Sequence, residues 1–163
     1  MIEIRPIQPN EVTEAKLVIF KVAFEIFKEE STLEESIAKY SAKGVLKDLD
    51  DIQKNYFENG GTFLVTCKDG KIIGTGAIRY LEEGVCELKR MWLLTEFHRQ
   101  GLGYRMIQEL FAIAREKGYK LMRLETDFEV QTRAVEFYKQ LGFYEIPRYE
   151  GDDPDDLAME IAL

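Results

Sequence analysis

A short segment with two glycines and flanking arginines stands where a helix is predicted to begin. It reads His98-Arg99-Gln100-Gly101-Leu102-Gly103-Tyr104-Arg105. The first amides of a helix have no partner within the helix and lie at the positive end of its dipole, so they can bind phosphate oxygens. Met106 replaces the third glycine of a dinucleotide-binding motif, and the Gly-Lys-Ser/Thr of a P-loop is missing. The segment therefore predicts either a site for a phosphorylated ligand or a loop that only caps a helix.

A carboxylate before this segment could remove a proton from a substrate. Glu87 lies in a predicted strand. An amine with a pKa of about 10.4 is mostly protonated at pH 7, and freeing its lone pair costs roughly 4–5 kcal/mol. A glutamate in water is too weak a base for this step, so burial or a relaying water is needed. The alternative is an ion pair between Glu87 and Lys89, two residues along on the same strand face.

A tyrosine after the segment could return a proton to a leaving group. Tyr138 lies in a predicted helix on the same stripe as Ala134 and Leu141, so packing in the core or against a ligand is the competing interpretation. No nucleophile is placed to form a covalent intermediate, because Cys67 and Cys86 lie in strands ahead of the motif. We expect both cysteines to be reduced core thiols rather than a disulfide.

The elements that must position these side chains follow from the apolar pattern. We predict an N-terminal strand, helices over 10–28 and about 31–44, and a short helix around 46–56. Asn10 is the predicted cap of the first helix, and Thr32 or Ser31 that of the second. Then follow strands over 62–67, 72–78 and 85–94, a helix over 101–117, a strand over 121–126, a helix over 131–141, and strands over 143–146 and 157–163. This order predicts one mixed-sheet α/β domain over residues 1–163.

Composition and charge limit the function. The 163 residues, 45% hydrophobic and 32% charged, suit one globular domain. A formal net charge of −8 argues against a nucleic-acid partner and would attract a cationic amine. One histidine and two separated cysteines give no metal-ligand spacing. No apolar run approaches the roughly 20 residues that span a bilayer, and the first residues resemble a strand more than a signal peptide. We therefore expect a cytoplasmic protein without a membrane partner.

Three motifs together resemble the GNAT superfamily of N-acetyltransferases. The run Glu87-Leu88-Lys89-Arg90-Met91-Trp92-Leu93, followed after four residues by the glycine segment, is similar to the family's acetyl-CoA motif. The later helix carries Ala134-x-x-Phe137-Tyr138-x-x-Leu141-Gly142-Phe143, a second family signature. The tail Gly142-Phe143-Tyr144-Glu145-Ile146-Pro147-Arg148-Tyr149, with Ala158-Met159-Glu160-Ile161, resembles a bacterial and archaeal subgroup.

The resemblance implies a fold and a cofactor, acetyl-CoA. The fold is a single α/β domain of mixed α+β type, with a central, mostly antiparallel twisted sheet of about 6–7 strands and helices on both faces. A splayed pair of parallel strands opens a slot in such a sheet. Main-chain groups of this slot pair with the pantetheine arm, and the amides of the glycine segment hold the pyrophosphate. The implied cofactor-binding residues are Met91, Trp92, Leu93, His98, Arg99, Gln100, Gly101, Leu102, Gly103, Tyr104 and Gln131.

Two of these positions depart from the family pattern. His98, with Arg99 beside it, stands where the family usually has Arg or Gln, and Gln131 stands where it usually has Asn. Both replacements are polar, so they affect individual contacts rather than the expectation of cofactor binding.

The resemblance also implies roles in catalysis. Glu87 falls where many members keep a general base, and Tyr138 where many place a general acid. The implied reaction is direct attack of a primary amine, on a small molecule or a peptide, on acetyl-CoA in a ternary complex. A strand amide near Trp92 or Leu93 would hold the oxyanion. No metal is implied, and a homodimer is compatible with the family.

Other interpretations of the same residues stay open. The chain could be an acyl-CoA sensor that does not turn its ligand over, or an interaction domain on the same fold. Asp127 and Glu129, and the acidic loop over 150–156, could contact or steer a substrate ammonium, or they could simply be solvated.

Overall fold

Seven strands and four α-helices make up the computed structural model, which describes residues 1–28, 32–127, 131–150 and 156–163, with the backbone alone at Asp127. The strands are β1 (Ile2–Pro6), β2 (Thr62–Lys68), β3 (Lys71–Glu82), β4 (Val85–Leu93), β5 (Leu121–Asp127), β6 (Tyr144–Ile146) and β7 (Asp156–Ala162). The helices are α1 (Val12–Phe27), α2 (Leu33–Ala42), α3 (Leu102–Glu116) and α4 (Thr132–Leu141). Within these ranges no helix is long and apolar enough to cross a membrane.

All seven strands join one sheet, in the order β1-β2-β3-β4-β5-β7-β6. Neighbouring strands are antiparallel except for β4 and β5, which are parallel and are connected through α3. The predicted mixed, mostly antiparallel sheet is therefore confirmed.

Helices cover both faces of this sheet. Successive residues of a strand point to opposite faces, and the neighbours Leu64 and Val65 of β2 accordingly belong to two separate apolar clusters. Ile19 of α1 packs in the cluster of Val65, whereas Leu110 of α3 and Val135 of α4 pack in the cluster of Leu64. The apolar stripe of α3 recurs every three or four residues, which is why one side of this helix is buried.

The first helix begins differently from the prediction. Asn10 does not cap α1, because it lies within a 3₁₀ turn over Pro9–Glu11 that precedes the helix. The Gln8 amide instead donates to Glu11 Oε2 at 2.8 Å. A glutamate three residues after the start can bind back in this way, and the proline favours a helical first turn.

The second helix has the predicted cap. Thr32 Oγ1 accepts a hydrogen bond from the Glu35 amide at 3.1 Å. The other candidate, Ser31, lies outside the described residues.

The predicted helix around 46–56 is not an α-helix. It is a 3₁₀ segment over Lys47–Asp51 followed by a π turn over Gln53–Phe57. The Asp48 carbonyl accepts from the Asn55 side chain at 2.9 Å, and its carboxylate bonds to a distant arginine. These side-chain contacts, which periodicity does not show, override the α-helical pattern.

The two cysteines are buried as free thiols. Cys67 lies in β2 and Cys86 in β4. Burial raises the pKa of Cys86 to about 12, so this thiol is protonated at neutral pH. Both residues match the predicted core thiols.

Candidate active site

A cavity of about 1060 Å³ opens between β4, the last turns of α1 and the N-termini of α3 and α4. Every residue predicted to bind a cofactor lines this cavity except Gln100. Those lining residues are Met91, Trp92, Leu93, His98, Arg99, Gly101, Leu102, Gly103, Tyr104 and Gln131. The fold therefore brings the glycine segment with the end of β4, and the start of α4, to one surface although they are separated in the sequence.

One wall of the cavity is an incompletely paired strand. In the described part of the chain, β4 pairs with β5 only over Val85–Glu87, opposite Leu121–Arg123. Beyond these residues the two parallel strands diverge, and Met91, Trp92 and Leu93 of β4 line the cavity. An unpaired strand edge offers main-chain donors and acceptors to an extended ligand, which can bind as an added strand.

The same strand carries a bulge just before the cavity. Lys89 stands opposite Ala77 and Trp92 opposite Thr75, so Arg90 and Met91 together oppose one residue of β3. Arg90 has a φ of +54°, a left-handed conformation that costs an ordinary side chain roughly 1–2 kcal/mol. The hydroxyl of Thr75 donates to the Arg90 carbonyl at 2.7 Å, which satisfies a group displaced from the ladder.

The N-terminus of α3 forms a second wall. The first hydrogen bond of this helix runs from the Arg105 amide to the Gly101 carbonyl at 3.0 Å, so the amides of residues 102–104 have no partner within the helix. Gly101 and Arg99 have φ of +75° and +64°. A Cβ added at Gly101 would meet no atom within 4 Å, so backbone conformation, rather than space, favours glycine there.

The N-terminus of α4 faces the same cavity, and with it come cations that sequence reasoning missed. Arg133, in the first turn of α4, and Lys28, after α1, both line the cavity with Arg99. A cation in the first turn opposes the dipole of its own helix. That unfavourable placement of Arg133 is the one sequence signal that could have identified it as a ligand-facing residue.

The only histidine is bound to the cavity strand. His98 Nε2 lies 2.9 Å from the Leu93 carbonyl oxygen. Because a carbonyl only accepts, the ring proton must be on Nε2. His98 therefore links the glycine segment to the end of β4.

Tyr138 belongs both to the core and to the cavity wall. Only 6% of the residue is exposed, and its ring packs against Phe137 and Phe143 with centroid distances of 5.5 and 5.4 Å. It also lines the cavity. Burial raises the pKa of Tyr138, so its hydroxyl stays protonated at neutral pH. The two alternatives from the sequence are thus compatible in one side chain.

Glu87 lies outside this cavity and is held on both carboxylate oxygens. Only 2% of the residue is exposed. Arg79 Nε and Nη2 donate to Oε1 at 2.9 and 2.8 Å, and the Tyr149 hydroxyl donates to Oε2 at 2.8 Å. The expected ion pair therefore exists, but its partner is Arg79 rather than Lys89. Arg79 stands directly opposite Glu87 in the antiparallel pair of β3 and β4, which places it closer than a residue two positions along the same strand.

Further acidic groups lie beside Glu87. Glu125 Oε2 is buried without a hydrogen-bond partner in the described structure. Burial, and then the charges of Asp156, Glu150 and Glu87, raise the pKa of Glu125. The structure does not describe Glu129, residues 151–155 of the predicted acidic loop, or the side chain of Asp127.

A partly buried ion pair joins the bulge to the segment before β2. Arg90 Nε donates to Asp48 Oδ2 at 3.0 Å and Nη2 to Oδ1 at 2.6 Å, and Nη2 also donates to the Val45 carbonyl at 3.0 Å. The Tyr56 hydroxyl donates to Asp48 Oδ2. Burial raises the pKa of Asp48, but the hydrogen bonds and charge of Arg90 outweigh it, so the pKa lies below its usual value.

The sequence is similar to known acetyltransferases. The model of the acetyltransferase (GNAT) family matches residues 23–143. The uncharacterized N-acetyltransferase YjgM of Escherichia coli is 31% identical over 102 residues, which are 61% of this chain and 60% of that protein. Human N-acetyltransferase 8 is 30% identical over 102 residues, 59% of this chain and 44% of that protein. The chain thus spans about half the length of the curated relatives it matches.

Solved structures show the same fold. A GNAT acetyltransferase from Staphylococcus aureus Mu50 has a TM-score of 0.82 at 20% identity, over 99% of both chains. The paia N-acetyltransferase of Thermoplasma acidophilum, solved in complex with coenzyme A, has a TM-score of 0.77 at 23% identity, over 100% of this chain and 99% of that one.

The Asp48–Arg90 pair makes stability depend on pH. A carboxylate with a lowered pKa stabilises the folded state above its unfolded pKa of about 3.9, and this contribution is lost as the pH falls through the folded pKa. We expect Asp48→Asn to cost about 1.5–3 kcal/mol at neutral pH. The cost should shrink as the pH falls below about 4. Thermal or urea unfolding across this range measures it.

The matched control is Asp50→Asn. Asp50 lies in the same 3₁₀ segment as Asp48 and forms an exposed pair with Lys16 of α1. Because exposed pairs contribute little, this variant should change stability by less than about 1 kcal/mol. A cost for Asp48→Asn that stays constant with pH would contradict the expectation.

Proposed function

The chain belongs to the acetyltransferase (GNAT) family, and we propose that residues 1–163 form one domain that transfers acetyl from acetyl-CoA to a primary amine. The observation that carries this proposal is one cavity with a strand edge on one side and two helix N-termini on the other. This arrangement suits a long ligand with an amide-containing arm and a phosphorylated end.

The donors around the cavity fit coenzyme A. The free amides of residues 102–104, with Arg99 and Arg133 nearby, suit the pyrophosphate. The edge of β4 at Met91–Leu93 suits the amides of the pantetheine arm. The paia N-acetyltransferase has coenzyme A bound, and so supports the same ligand here.

Glu87 is proposed as the general base. Amide formation requires one proton to leave the attacking amine, while the carbon–sulfur bond breaks. Because Glu87 is only 2% exposed and both of its oxygens already accept hydrogen bonds, we propose that a water carries the proton to it. Arg79 and Tyr149 hold the carboxylate in one orientation for this transfer.

Tyr138 is proposed as the general acid. Tyr138 is one of the residues that line the cavity, and its raised pKa keeps its hydroxyl protonated and able to donate to the departing thiolate. Direct transfer to the amine is supported by the positions of Cys67 and Cys86, which are buried in the sheet as free thiols away from the cavity lining.

The acceptor is proposed to be a cationic primary amine. Glu125 and Glu150 lie beside Glu87, and one oxygen of Glu125 has no hydrogen-bond partner in the described structure. The net charge of −8 also favours the approach of a cation.

A charge at the start of α3 should abolish cofactor binding. Gly101→Glu places a carboxylate among the phosphate-binding amides, where no neighbouring atom obstructs it. Coenzyme A at about 100 times its dissociation constant should stabilise the wild type by about 2.7 kcal/mol. This corresponds to a rise in Tm of roughly 5–10 °C. The variant should lose this rise.

Gly118→Glu is the matched control, because Gly118 follows the other end of α3, has a φ of +93° and also has open space. Both variants strain the backbone, but only Gly101→Glu should lose the ligand effect. Loss in both, or in neither, counts against this cofactor site.

Removing the base should slow transfer without weakening cofactor binding. We expect Glu87→Gln to lower kcat by about 10²–10⁴-fold, measured as thiol release from acetyl-CoA with a panel of primary amines. Glu11→Gln, which breaks another arginine–glutamate pair away from the cavity, should leave kcat unchanged. Binding of coenzyme A with no turnover by the wild type would favour the sensor instead.

Removing the acid should have a similar kinetic signature. We expect Tyr138→Phe to lower kcat by about 10²-fold or more, with coenzyme A affinity retained because the ring still packs against Phe137 and Phe143. Tyr119→Phe is the control, since this buried hydroxyl donates to the Gly60 carbonyl. Equal rates for Tyr138→Phe and the wild type would assign Tyr138 to packing alone.

A further inference from the structure

The strand that faces the cavity is most distorted at a residue held by a distant carboxylate. We infer that Asp48 and Arg90 are positioning residues for acyl transfer, because their ion pair fixes the β4 bulge and so keeps Met91–Leu93 turned toward the cavity. The inference rests on the proposed function, since it concerns the same reaction. It assigns a role to a segment, residues 45–51, that does not line the cofactor cavity.

The bulge sets which backbone groups of β4 reach the ligand. Two residues of β4, Arg90 and Met91, oppose one residue of β3. Removing such an extra residue from the register would turn every later side chain to the opposite face of the sheet. Trp92 and Leu93 would then present different atoms to the cavity. The acetyl-transfer geometry therefore depends on keeping the bulge at Arg90.

The residue at the centre of the bulge does not favour this conformation by itself. Arg90 has a φ of +54°, where glycine is the usual residue. The Thr75 hydroxyl of β3 holds the Arg90 carbonyl at 2.7 Å, but this contact does not reach the arginine side chain. A partner for the side chain would hold the bulge at a second point, from outside the sheet.

Asp48 is that partner. Two separate nitrogens of Arg90 donate to the two carboxylate oxygens of Asp48, Nε at 3.0 Å and Nη2 at 2.6 Å. Nη2 also donates to the Val45 carbonyl at 3.0 Å. Such a two-point contact fixes orientation as well as distance. Asp48 is itself held, because Tyr56 donates to its carboxylate and Asn55 to its carbonyl. The pair therefore transmits a fixed position from the 45–56 segment to the bulge.

The test separates a positioning role from a tether that only adds stability. In Asp48→Asn the bulge loses its clamp while Arg90 keeps an unfavourable φ, so we expect kcat to fall by about tenfold to hundredfold. In the double variant Asp48→Asn with Arg90→Gly, the glycine adopts the bulge without a clamp. The double variant should recover most of the lost kcat, although it has fewer contacts.

A second readout does not need turnover. Trp92 is the only tryptophan and lies two residues after Arg90, so its fluorescence reports the strand beyond the bulge. The emission should shift in Asp48→Asn and return toward that of the wild type in the double variant. Glu11→Gln, which removes one carboxylate charge from the Arg5 pair, is the control and should change neither kcat nor emission.

The outcomes are distinct. An unchanged kcat and emission in Asp48→Asn overturn the inference, as does a double variant that is no faster than the single one, because a tether would be weakened further by the second change. If the wild type fails to turn over acetyl-CoA with any amine, the proposed function fails. The Trp92 emission then still decides whether the pair holds the bulge. Circular dichroism of each variant establishes that it is folded.

Discussion

The structure depends on a sheet in which the two central parallel strands are only partly paired. Two parallel strands, β4 and β5, pair over three residues each and then part. Main-chain donors and acceptors at the interior of a protein need partners, and an edge inside a sheet leaves them without strand partners. A ligand that paired with the edge would supply them. The cavity lies at this gap, with the bulge of β4 and the N-termini of α3 and α4 beside it.

Basic side chains gather at the cavity, and acidic side chains gather around Glu87. The chain is acidic as a whole, with a net charge of −8, yet Lys28, Arg99 and Arg133 gather beside two helix N-termini. On the Glu87 side, Glu125 and Glu150 add negative charge. The cavity therefore favours an anion, and the neighbouring Glu87 region favours a cation, which suits the proposed transfer from a phosphorylated donor to an amine.

The sequence pattern was sufficient to predict an element where a local feature of the chain decides its structure. The apolar spacing of α3 and α4 and the glycines before α3 have meanings that depend on only a few neighbouring residues. The pair of Arg79 with Glu87 could not be predicted, because it requires the register of two strands. The bulge at Arg90 could not be predicted either, since arginine gives no sign of a left-handed conformation, and its side chain binds Asp48, 42 residues away. The 46–56 segment is helical as predicted, but its 3₁₀ and π geometry could not be read from the apolar spacing.

The two halves of the site are assembled at different ranges along the chain. The cavity lining lies largely within residues 91–138, a strand–helix–strand–helix unit whose parts follow one another directly. The Glu87 carboxylate instead meets Tyr149, 62 residues later, in the segment that follows β6. Contacts of such separation form late and carry the larger entropy cost of loop closure. The orientation of the Glu87 carboxylate therefore depends on the segment after β6, because Tyr149 holds one of its two oxygens.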